Sequence, residues 1–296
     1  MKQAIGFIGL GVMGRSMAGH LLAAGYPLRV FTRTSGTASA LLERGAVWAG
    51  SPAALARACD VVFTIVGFPR DVEAVYFGAD GLIEALRPGC VLVDMTTSRP
   101  DLAARIAAAA AGRGAAALDA PVSGGDKGAR EAALSIMVGG DRENFERILP
   151  LFRIMGKNIV HQGPAGSGQH CKLCNQIAIA GTMIGVCEAV AYARRAGLDP
   201  QTVLQSIGAG AAGSWSLGNL APRMLAGDFA PGFFVKHFIK DMDIAAASAD
   251  ALALDTPGLD LALALYRRLA AAGGGDMGTQ ALYRLYDPEA PAEGAG

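Results

Sequence analysis

The sequence predicts an α/β domain with a doubly wound parallel sheet, followed by an all-α domain. In the first half of the chain, short apolar runs alternate with stretches of helical length. After about residue 165 the short runs stop and only helical stretches follow. Such alternation is typical of parallel strands joined by crossover helices. The length of 296 residues suits two domains, because single hydrophobic cores stop growing at roughly 250–300 residues.

Six short apolar runs bounded by Gly, Pro, Asp or Ser predict buried strands. They are Ala4–Ile8, Leu28–Thr32, Val61–Val66, Val91–Asp94, Ala115–Leu118 and Leu134–Val138. Helix-length stretches such as Met13–Ala24 and Asp101–Ala111 lie between them. We therefore assign residues 1–165 to the α/β domain.

The second half predicts helices only. The predicted segments are 166–195, 200–208, 214–225, 238–253, 257–272 and 278–286. We assign residues 166–290 to a helical domain, with the boundary near Gly163–Gly168. The Pro/Gly/Ala-rich residues 291–296 predict a flexible tail.

Composition excludes several classes of protein. The 26 basic and 26 acidic side chains cancel, which argues against nucleic acid or an anionic membrane as the main partner. With 52 % hydrophobic and 18 % charged residues, the chain has ample material for buried cores and is not a disordered protein. Five cysteines, an odd number, and the absence of a secretory pattern at the start favour reduced thiols and a cytoplasmic location.

One stretch, Ile177–Ala193, is almost long enough to cross a bilayer. A spanning helix needs about 20 predominantly apolar residues, and this stretch contains Thr182 and Glu188. A helix that is apolar on nearly all sides is also typical of the centre of a protein. We expect a buried core helix rather than a membrane span.

A glycine-rich turn follows the first predicted strand and opens the first predicted helix. Gly9, Gly11 and Gly14 form G-x-G-x-x-G, with Leu10, Val12 and Met13 between them. The first glycine permits a tight turn, the second lets a pyrophosphate approach the backbone, and the third lets the helix pack on the strand. Because strand, turn and helix are in the required order, the sequence predicts a Rossmann dinucleotide-binding site.

The end of the second strand indicates which dinucleotide binds. NAD sites usually place an acidic residue there for the ribose hydroxyls. This sequence has Thr32, Arg33 and Thr34 instead, which suit a 2′-phosphate through charge-assisted hydrogen bonds. We expect NADPH to be preferred, with NADH possible; the alternative is that Arg33 is a solvated surface arginine.

The segment Asp119–Gly125 follows a strand and reads DAPVSGG. A loop with proline followed by two glycines exposes backbone N–H groups, and Ser123 adds a hydroxyl, so the loop is suited to holding a carboxylate. The alternative is an ordinary tight turn.

A polar face opens the long apolar helix. Lys172, Asn175, Gln176 and Ile179 occur at i, i+3, i+4 and i+7, so they share one face. Such side chains are costly to desolvate unless they are paired or functional, and burial lowers a lysine pKa toward the range of a general acid or base. A lysine that extends to the surface is the alternative.

A second basic segment opens a later helix. Lys236 and Lys240 lie one turn apart, with Asp241 next to the second. Lys240 is placed to reach the cofactor or the substrate acid, although a solvated helix face is also consistent with the pattern. Cys171 and Cys174 have C-x-x-C spacing inside a predicted helix without a second pair, and we predict no metal site.

Four motifs match one known family in order and spacing. They are the glycine-rich turn GFIGLGVMG, DAPVSGG at 119–125, GxGxxxKxxNQ at 166–176, and HxxKD at 237–241. On these motifs the chain resembles, over nearly its whole length, the β-hydroxyacid dehydrogenases. This family contains 3-hydroxyisobutyrate dehydrogenase, tartronate semialdehyde reductase and glyoxylate/succinic semialdehyde reductase.

The resemblance implies roles for individual residues. It implies that Lys172 is the catalytic general acid/base and that Asn175 and Gln176 orient the substrate. It also implies that Lys240 contacts the cofactor or the substrate. The implied carboxylate-binding residues are Ser123, Gly124 and Gly125. The further implied cofactor contacts are Val66, Pro69 and Thr96, the last near the nicotinamide ribose.

The resemblance implies an oxidoreductase that prefers NADPH and interconverts a small β-hydroxy acid and its semialdehyde. Its partner would be a small carboxylate-bearing aldehyde or hydroxy acid. It would assemble as a homodimer or homotetramer through the helical domain. The segment Ser214–Leu225 is more similar to the tartronate/glyoxylate branch than to the hydroxyisobutyrate branch. The larger 6-phosphogluconate dehydrogenases need a longer helical domain.

Three alternatives remain at the sequence level: a 3-hydroxyisobutyrate dehydrogenase, an imine or other carbonyl reductase, and a non-catalytic cofactor-binding protein on the same fold. Imine reductases usually replace the catalytic lysine, whereas this chain keeps Lys172.

Overall fold

The computed structural model describes residues 2–287, and two compact units divide between Lys172 and Leu173. This division lies inside the helix that begins at Ser167. The domain boundary at residue 165 stays a prediction. Residues 288–296, which include the predicted tail at 291–296, lie outside the described residues.

The described residues of the first unit form a nine-stranded sheet and seven complete α-helices. The strands are β1 (Ile5–Ile8), β2 (Leu28–Phe31), β3 (Val47–Trp48), β4 (Val61–Thr64), β5 (Val91–Asp94), β6 (Ala116–Asp119), β7 (Val122–Ser123), β8 (Leu134–Gly139) and β9 (Gly156–Gly163). The helices are α1 (Gly14–Ala23), α2 (Ser39–Leu42), α3 (Pro52–Ala58), α4 (Pro69–Phe77), α5 (Pro100–Ala111), α6 (Gly125–Arg130) and α7 (Arg142–Met155).

The strands lie in the order β3-β2-β1-β4-β5-β6-β8-β7, with β9 paired to β8. Neighbouring strands from β3 to β6 are parallel. The order 3-2-1-4-5-6 is that of the Rossmann sheet, in which ligands bind at the carboxyl ends of the strands where the order reverses. The predicted fold class of the first half is confirmed.

Both faces of this sheet are buried. Alternate side chains of a strand point to opposite faces, so one strand can contribute to two hydrophobic clusters. Val61 and Phe63 of β4 belong to one hydrophobic cluster, whereas Val62 belongs to another. Helix residues complete each cluster, Phe152 of α7 in the first and Tyr76 of α4 in the second. This two-sided burial explains why the strands are continuous apolar runs rather than alternating ones.

The far side of the sheet differs from the predicted all-parallel arrangement. The chain reverses through β7 and the short helix α6, so that β8 runs antiparallel to both β6 and β7. A parallel return would need a crossover of a dozen or more residues, usually with a helix longer than α6. Strands β3, β7 and β9 were not predicted either. Two of them span only two residues each, and β9 has only two large apolar residues, Ile159 and Val160, among its eight.

The second unit is helical, which confirms the predicted class of this half. Its helices are α8 (Ser167–Arg195), which begins in the first unit, α9 (Pro200–Gly208), α10 (Trp215–Asn219), α11 (Ala221–Leu225), α12 (Val235–Ala251) and α13 (Pro257–Ala271). The segment 214–225 forms two helices rather than one, since Pro222 lies in the first turn of α11. The segment 278–286 is a 3₁₀ helix, Thr279–Leu285.

Helix α8 contains the long apolar stretch. By length and composition it could cross a membrane, yet 39 % of the residues in its apolar window are buried inside the structure. Met183 and Cys187 on one face are fully buried with Phe238 of α12 and Tyr266 of α13. Residues such as Gly181 on the opposite face are exposed. The expected core helix is therefore buried on one side only.

Candidate active site

The glycine-rich turn connects β1 to α1 in a form that requires its first and last glycines. Gly9 has φ +91°, and a Cβ there would collide with the carbonyl oxygen of Ile65. A Cβ at Gly14 would collide with the carbonyl oxygen of Gly9. Among the described residues other than Gly11 and its two chain neighbours, no heavy atom lies within 4 Å of the position that a Cβ would take at Gly11. The backbone at Gly11 is thus open beside a helix N-terminus, which fits a pyrophosphate group.

The side chains within this turn differ in exposure. Leu10 is buried, Met13 is half-buried and Val12 is exposed. The predicted contacts of Leu10 with a cofactor would accordingly come from its backbone.

Arg33 follows the end of β2, between the half-buried Thr32 and the exposed Thr34. Its side chain is 84 % exposed, and Nη1 lies 3.2 Å from Oδ1 of Asp71. The other oxygen of Asp71 accepts a hydrogen bond from the N–H of Phe68 at the start of α4, with a distance of 3.1 Å. Exposed ion pairs of this kind contribute little energy. The guanidinium can therefore exchange this partner for a phosphate at small cost.

Two further predicted cofactor residues meet at the carboxyl ends of β4 and β5. The N–H of Val66 donates to Oγ1 of Thr96 over 3.0 Å. The N–H of Thr96 in turn donates to Oδ1 of Asp94 over 3.0 Å. Pro69 is the first residue of α4, which follows the same loop as Val66. These residues lie at the edge of the sheet where dinucleotides bind.

The predicted carboxylate loop follows β7, at the opposite end of the strand order from β2 and Arg33. Gly124 has φ +127° and Gly125 has φ +61°, both in the region that favours glycine. Ser123 is half-buried. The loop is thus a turn that depends on its glycines, with a polar side chain at its edge.

Asp119, at the end of β6, holds the start of α8 in place. Its Oδ1 accepts from the N–H of Gly166 and its Oδ2 from the N–H of Gln169, both over 2.8 Å. The carboxylate is 3 % exposed. Burial raises the pKa of Asp119, against the opposing effect of these N–H donors. A negative charge at this position complements the helix N-terminus.

Lys172 lies one turn into α8 and is 6 % exposed. The alternative of a lysine that extends to the surface is therefore wrong. Gln169, three residues earlier, is completely buried and hydrogen-bonds the loop that contains Thr96. Asp119 and Gln169 were not among the predicted site residues. Their only signal was a polar residue at the end of a buried strand and another at the start of an apolar helix.

In the second unit, the remaining predicted residues contact Asp241 directly or through Gln176. Asn175 donates to Gln176 over 2.7 Å, and Gln176 donates to Oδ2 of Asp241 over 2.6 Å. Nζ of Lys240 lies 2.7 Å from Oδ1 of the same carboxylate, and the Lys240 side chain is 11 % exposed. The alternative of a solvated face at Lys240 is wrong, and its predicted contact with a cofactor stays a prediction.

The five cysteines all lie within the described residues and are all thiols. Cys59, Cys90 and Cys187 are buried, and burial raises the pKa of Cys59 to about 12 and that of Cys90 to about 11. The pKa of Cys187 is raised even further by burial. Cys171 is half-buried and Cys174 is exposed, on either side of Lys172.

We expect a disulfide reagent such as Ellman's reagent at pH 8 to modify only Cys171 and Cys174 rapidly in the native protein. The thiolate is the reacting form, so a buried thiol with a raised pKa reacts slowly. Stopped-flow absorbance would show two fast equivalents before denaturation and five after it. Cys174→Ser should remove one fast equivalent, and Cys90→Ser, the matched control, should remove none. Fast modification of Cys90 would contradict the expectation.

The chain matches two family models in succession. Residues 4–163 match the NAD binding domain of 6-phosphogluconate dehydrogenase. Residues 166–286 match a model described as NAD-binding of NADP-dependent 3-hydroxyisobutyrate dehydrogenase. The two models together cover almost all of the described chain.

Relatives match the chain over nearly its whole length. An uncharacterized oxidoreductase of Bacillus subtilis is 58 % identical over 97 % of this chain and 99 % of its own. The 2-hydroxy-3-oxopropionate reductase of Escherichia coli is 42 % identical over 96 % of this chain and 97 % of its own. A structure of Mycobacterium tuberculosis 3-hydroxyisobutyrate dehydrogenase with L-serine has a TM-score of 0.87 and 32 % identity, covering 97 % of this chain and all of that one.

Proposed function

Because the chain belongs to the β-hydroxyacid dehydrogenase family, that of 3-hydroxyisobutyrate dehydrogenase, we propose that it reduces small carboxylate-bearing semialdehydes with a preference for NADPH. The chain is an NAD(P)-dependent oxidoreductase acting on CH–OH groups. The substrate and the choice of cofactor are the proposed part. A cytoplasmic location and a homodimeric or homotetrameric assembly belong to the same proposal.

The observation that carries the proposal is the buried position of Lys172 in the second turn of α8. An ammonium group withdrawn from water interacts strongly with negative charge that develops beside it. As a carbonyl oxygen becomes an alkoxide, Lys172 stabilises that charge and donates a proton to the oxygen. In the reverse direction, neutral Lys172 accepts the proton of the hydroxyl group. Bound NADPH supplies the hydride for the carbonyl carbon.

The remaining residues bind and orient. The open backbone at Gly11 receives the pyrophosphate, and Arg33 with Thr32 and Thr34 receives the 2′-phosphate. Ser123 and the backbone of Gly124 and Gly125 hold the substrate carboxylate. Within the second unit, Asp241 orients the amide of Gln176 and neutralises Lys240.

The names of two relatives support the substrate class. The E. coli relative is named for 2-hydroxy-3-oxopropionate, and the M. tuberculosis structure was determined with L-serine. Both compounds are three-carbon acids with an oxygen on C3, the carbon β to the carboxylate. We extend this substrate class to the present chain. Within the class, we expect tartronate semialdehyde or glyoxylate to be the substrate.

The proposal is tested by oxidation of NADPH and NADH at 340 nm with glyoxylate, succinic semialdehyde, tartronate semialdehyde and methylmalonate semialdehyde. We expect turnover with at least one, and a higher kcat/KM with NADPH than with NADH. A cyclic imine serves as a substrate without a carboxylate and should not be reduced. Reduction of the imine alone, or tight NADPH binding without turnover of any acid, would contradict the proposed function.

A further inference from the structure

Gln169 lies in the first turn of α8, three residues before Lys172, and it is completely buried. Its backbone N–H donates to Oδ2 of Asp119 over 2.8 Å. Its side-chain amide makes two more bonds of the same length: Oε1 accepts from the N–H of Ser98, and Nε2 donates to the carbonyl of Thr96. One residue thus connects α8 to the last residue of β6 and to the segment that follows β5.

The two side-chain bonds fix a short segment rather than a single atom. The side-chain amide of Gln169 donates one hydrogen bond and accepts another. Its two partners are backbone groups two residues apart, as they would be for a residue of a neighbouring β-strand. Thr96 is held from its other side as well, since its hydroxyl accepts from the N–H of Val66 and its own N–H donates to Asp94. The position of the Thr96 segment relative to the first turn of α8 is therefore set by Gln169.

We propose that Gln169 is a positioning residue that holds the turn carrying Lys172 against the Thr96–Ser98 segment. The inference rests on the proposed function, in which Lys172 transfers a proton next to a nicotinamide bound near Thr96. A displacement of about 1 Å of a catalytic group can cost about 100-fold in rate. The α8 turn and the Thr96 segment both belong to the first unit, so the constraint operates within one compact body.

The chemistry of the position selects glutamine. An ionised glutamate offers only acceptors, so it would face the carbonyl of Thr96 with no donor. A protonated glutamate has the shape of glutamine, with a hydroxyl in place of the NH₂ group and a carbonyl that still accepts. An apolar side chain would leave both the Ser98 N–H and the Thr96 carbonyl unsatisfied in the interior.

Gln169→Glu therefore converts the positioning residue into one that depends on pH. Burial disfavours an ionised carboxyl group, and the carboxylate of Asp119, bound to the N–H of the same residue, disfavours it further. Asp94, through its bond to Thr96, and Lys172, one turn away, are the other ionisable groups associated with this site. The variant should hold the Thr96 segment when protonated and release it when ionised.

The experiment compares kcat, the two KM values and the NADPH dissociation constant of Gln169→Glu and wild type from pH 6 to pH 9. The ratio of variant kcat to wild-type kcat should fall at least about tenfold as pH rises, because a misplaced Lys172 slows the chemical step. NADPH affinity, read from the fluorescence of the bound cofactor, should weaken over the same range. The KM of the semialdehyde should remain within about twofold of the wild-type value, since Gln169 does not hold the Ser123 loop.

Gln280→Glu is the matched control. Gln280 is 1 % exposed, and its amide donates to the carbonyls of Asp228 and Ala230 over 3.0 and 3.1 Å, all within the second unit. Gln280→Glu therefore loses the same kind of amide donor as Gln169→Glu, at a position that is equally buried. Its thermal midpoint should fall with rising pH, while its kcat relative to wild type should show no pH dependence.

Equal pH dependence of the kcat ratio in the two variants, or an unchanged kcat for Gln169→Glu at pH 9, would overturn the proposal. If Gln169→Glu does not fold at high pH, Gln169→Asn replaces it. That variant keeps donor and acceptor but is one methylene shorter, so its kcat should be low at every pH, and a wild-type kcat would again overturn the proposal. Failure of the proposed function is a separate result, since the wild-type protein would then be inactive with the semialdehydes. In that case, the pH dependence of NADPH affinity in Gln169→Glu would still test the positioning role of Gln169.

Discussion

Lys172→Ala is expected to fold, to bind NADPH with nearly wild-type affinity, and to reduce the best semialdehyde about a thousandfold more slowly. General acid–base catalysis by one positioned side chain typically contributes about 10²–10⁴-fold. Removal of a buried positive charge next to the developing alkoxide adds to that loss. The side chain is 6 % exposed, so solvent does not readily replace it as a proton donor. Steady-state kcat, NADPH fluorescence and circular dichroism measure the three expected properties.

The matched control is Lys236→Ala. Lys236 is on α12, its side chain is 47 % exposed, and it pairs with Asp276. Removal of this lysine should change kcat by less than about twofold, because exposed ion pairs contribute little. Lys172→Arg separates charge from proton transfer, since arginine keeps the charge but stays protonated. Retention of most turnover in Lys172→Ala would falsify the assigned role.

Arg33→Ala is expected to lower kcat/KM for NADPH by about 10- to 100-fold and to leave kcat/KM for NADH nearly unchanged. Hydrogen bonds to charged groups contribute about 1.5–3 kcal/mol, and each 1.4 kcal/mol corresponds to tenfold. The lower part of this range is the more realistic, because the Arg33 side chain is 84 % exposed to screening water and salt. NADH has no 2′-phosphate, so its binding does not depend on this guanidinium.

Arg57→Ala serves as the control for Arg33→Ala. Arg57 is an exposed arginine on α3 of the same unit, so it changes the net charge by the same amount. Its kcat/KM should be unchanged with both cofactors. Equal losses with NADPH and NADH in Arg33→Ala, or a wild type that prefers NADH, would show that Arg33 does not read the 2′-phosphate.

The parts of the molecule that were predictable from sequence are those encoded by neighbouring residues. The turn at Gly9, Gly11 and Gly14 depends on its own backbone and on the strand and helix beside it. The glycine pattern therefore indicated both the fold and the cofactor class. The buried position of Lys172 was likewise indicated by the apolar helix that contains it. By contrast, the antiparallel return of β8 depends on the length of α6, which periodicity does not reveal.

The contacts that position these polar residues within each unit were not predictable, because they join residues far apart in sequence. Gln169 bonds to Ser98 and Thr96 across 71 and 73 positions, and Gln176 bonds to Asp241 across 65. A single sequence shows that such residues are polar in apolar surroundings, but it does not show their partners. The motif at 237–241 drew attention to Lys240, whereas the buried carboxylate that holds it is the adjacent Asp241.

The helical geometry of α8 has a consequence for the genetics of this chain. Gln169 bonds within the first unit and Gln176 within the second, and both lie on one uninterrupted helix. Each residue added to or removed from a helix rotates everything beyond it by about 100°. An insertion or deletion between Gln169 and Lys172, both in the first unit, would therefore rotate Lys172 away from its present direction, so this stretch of the coding sequence can change by substitution but not in length.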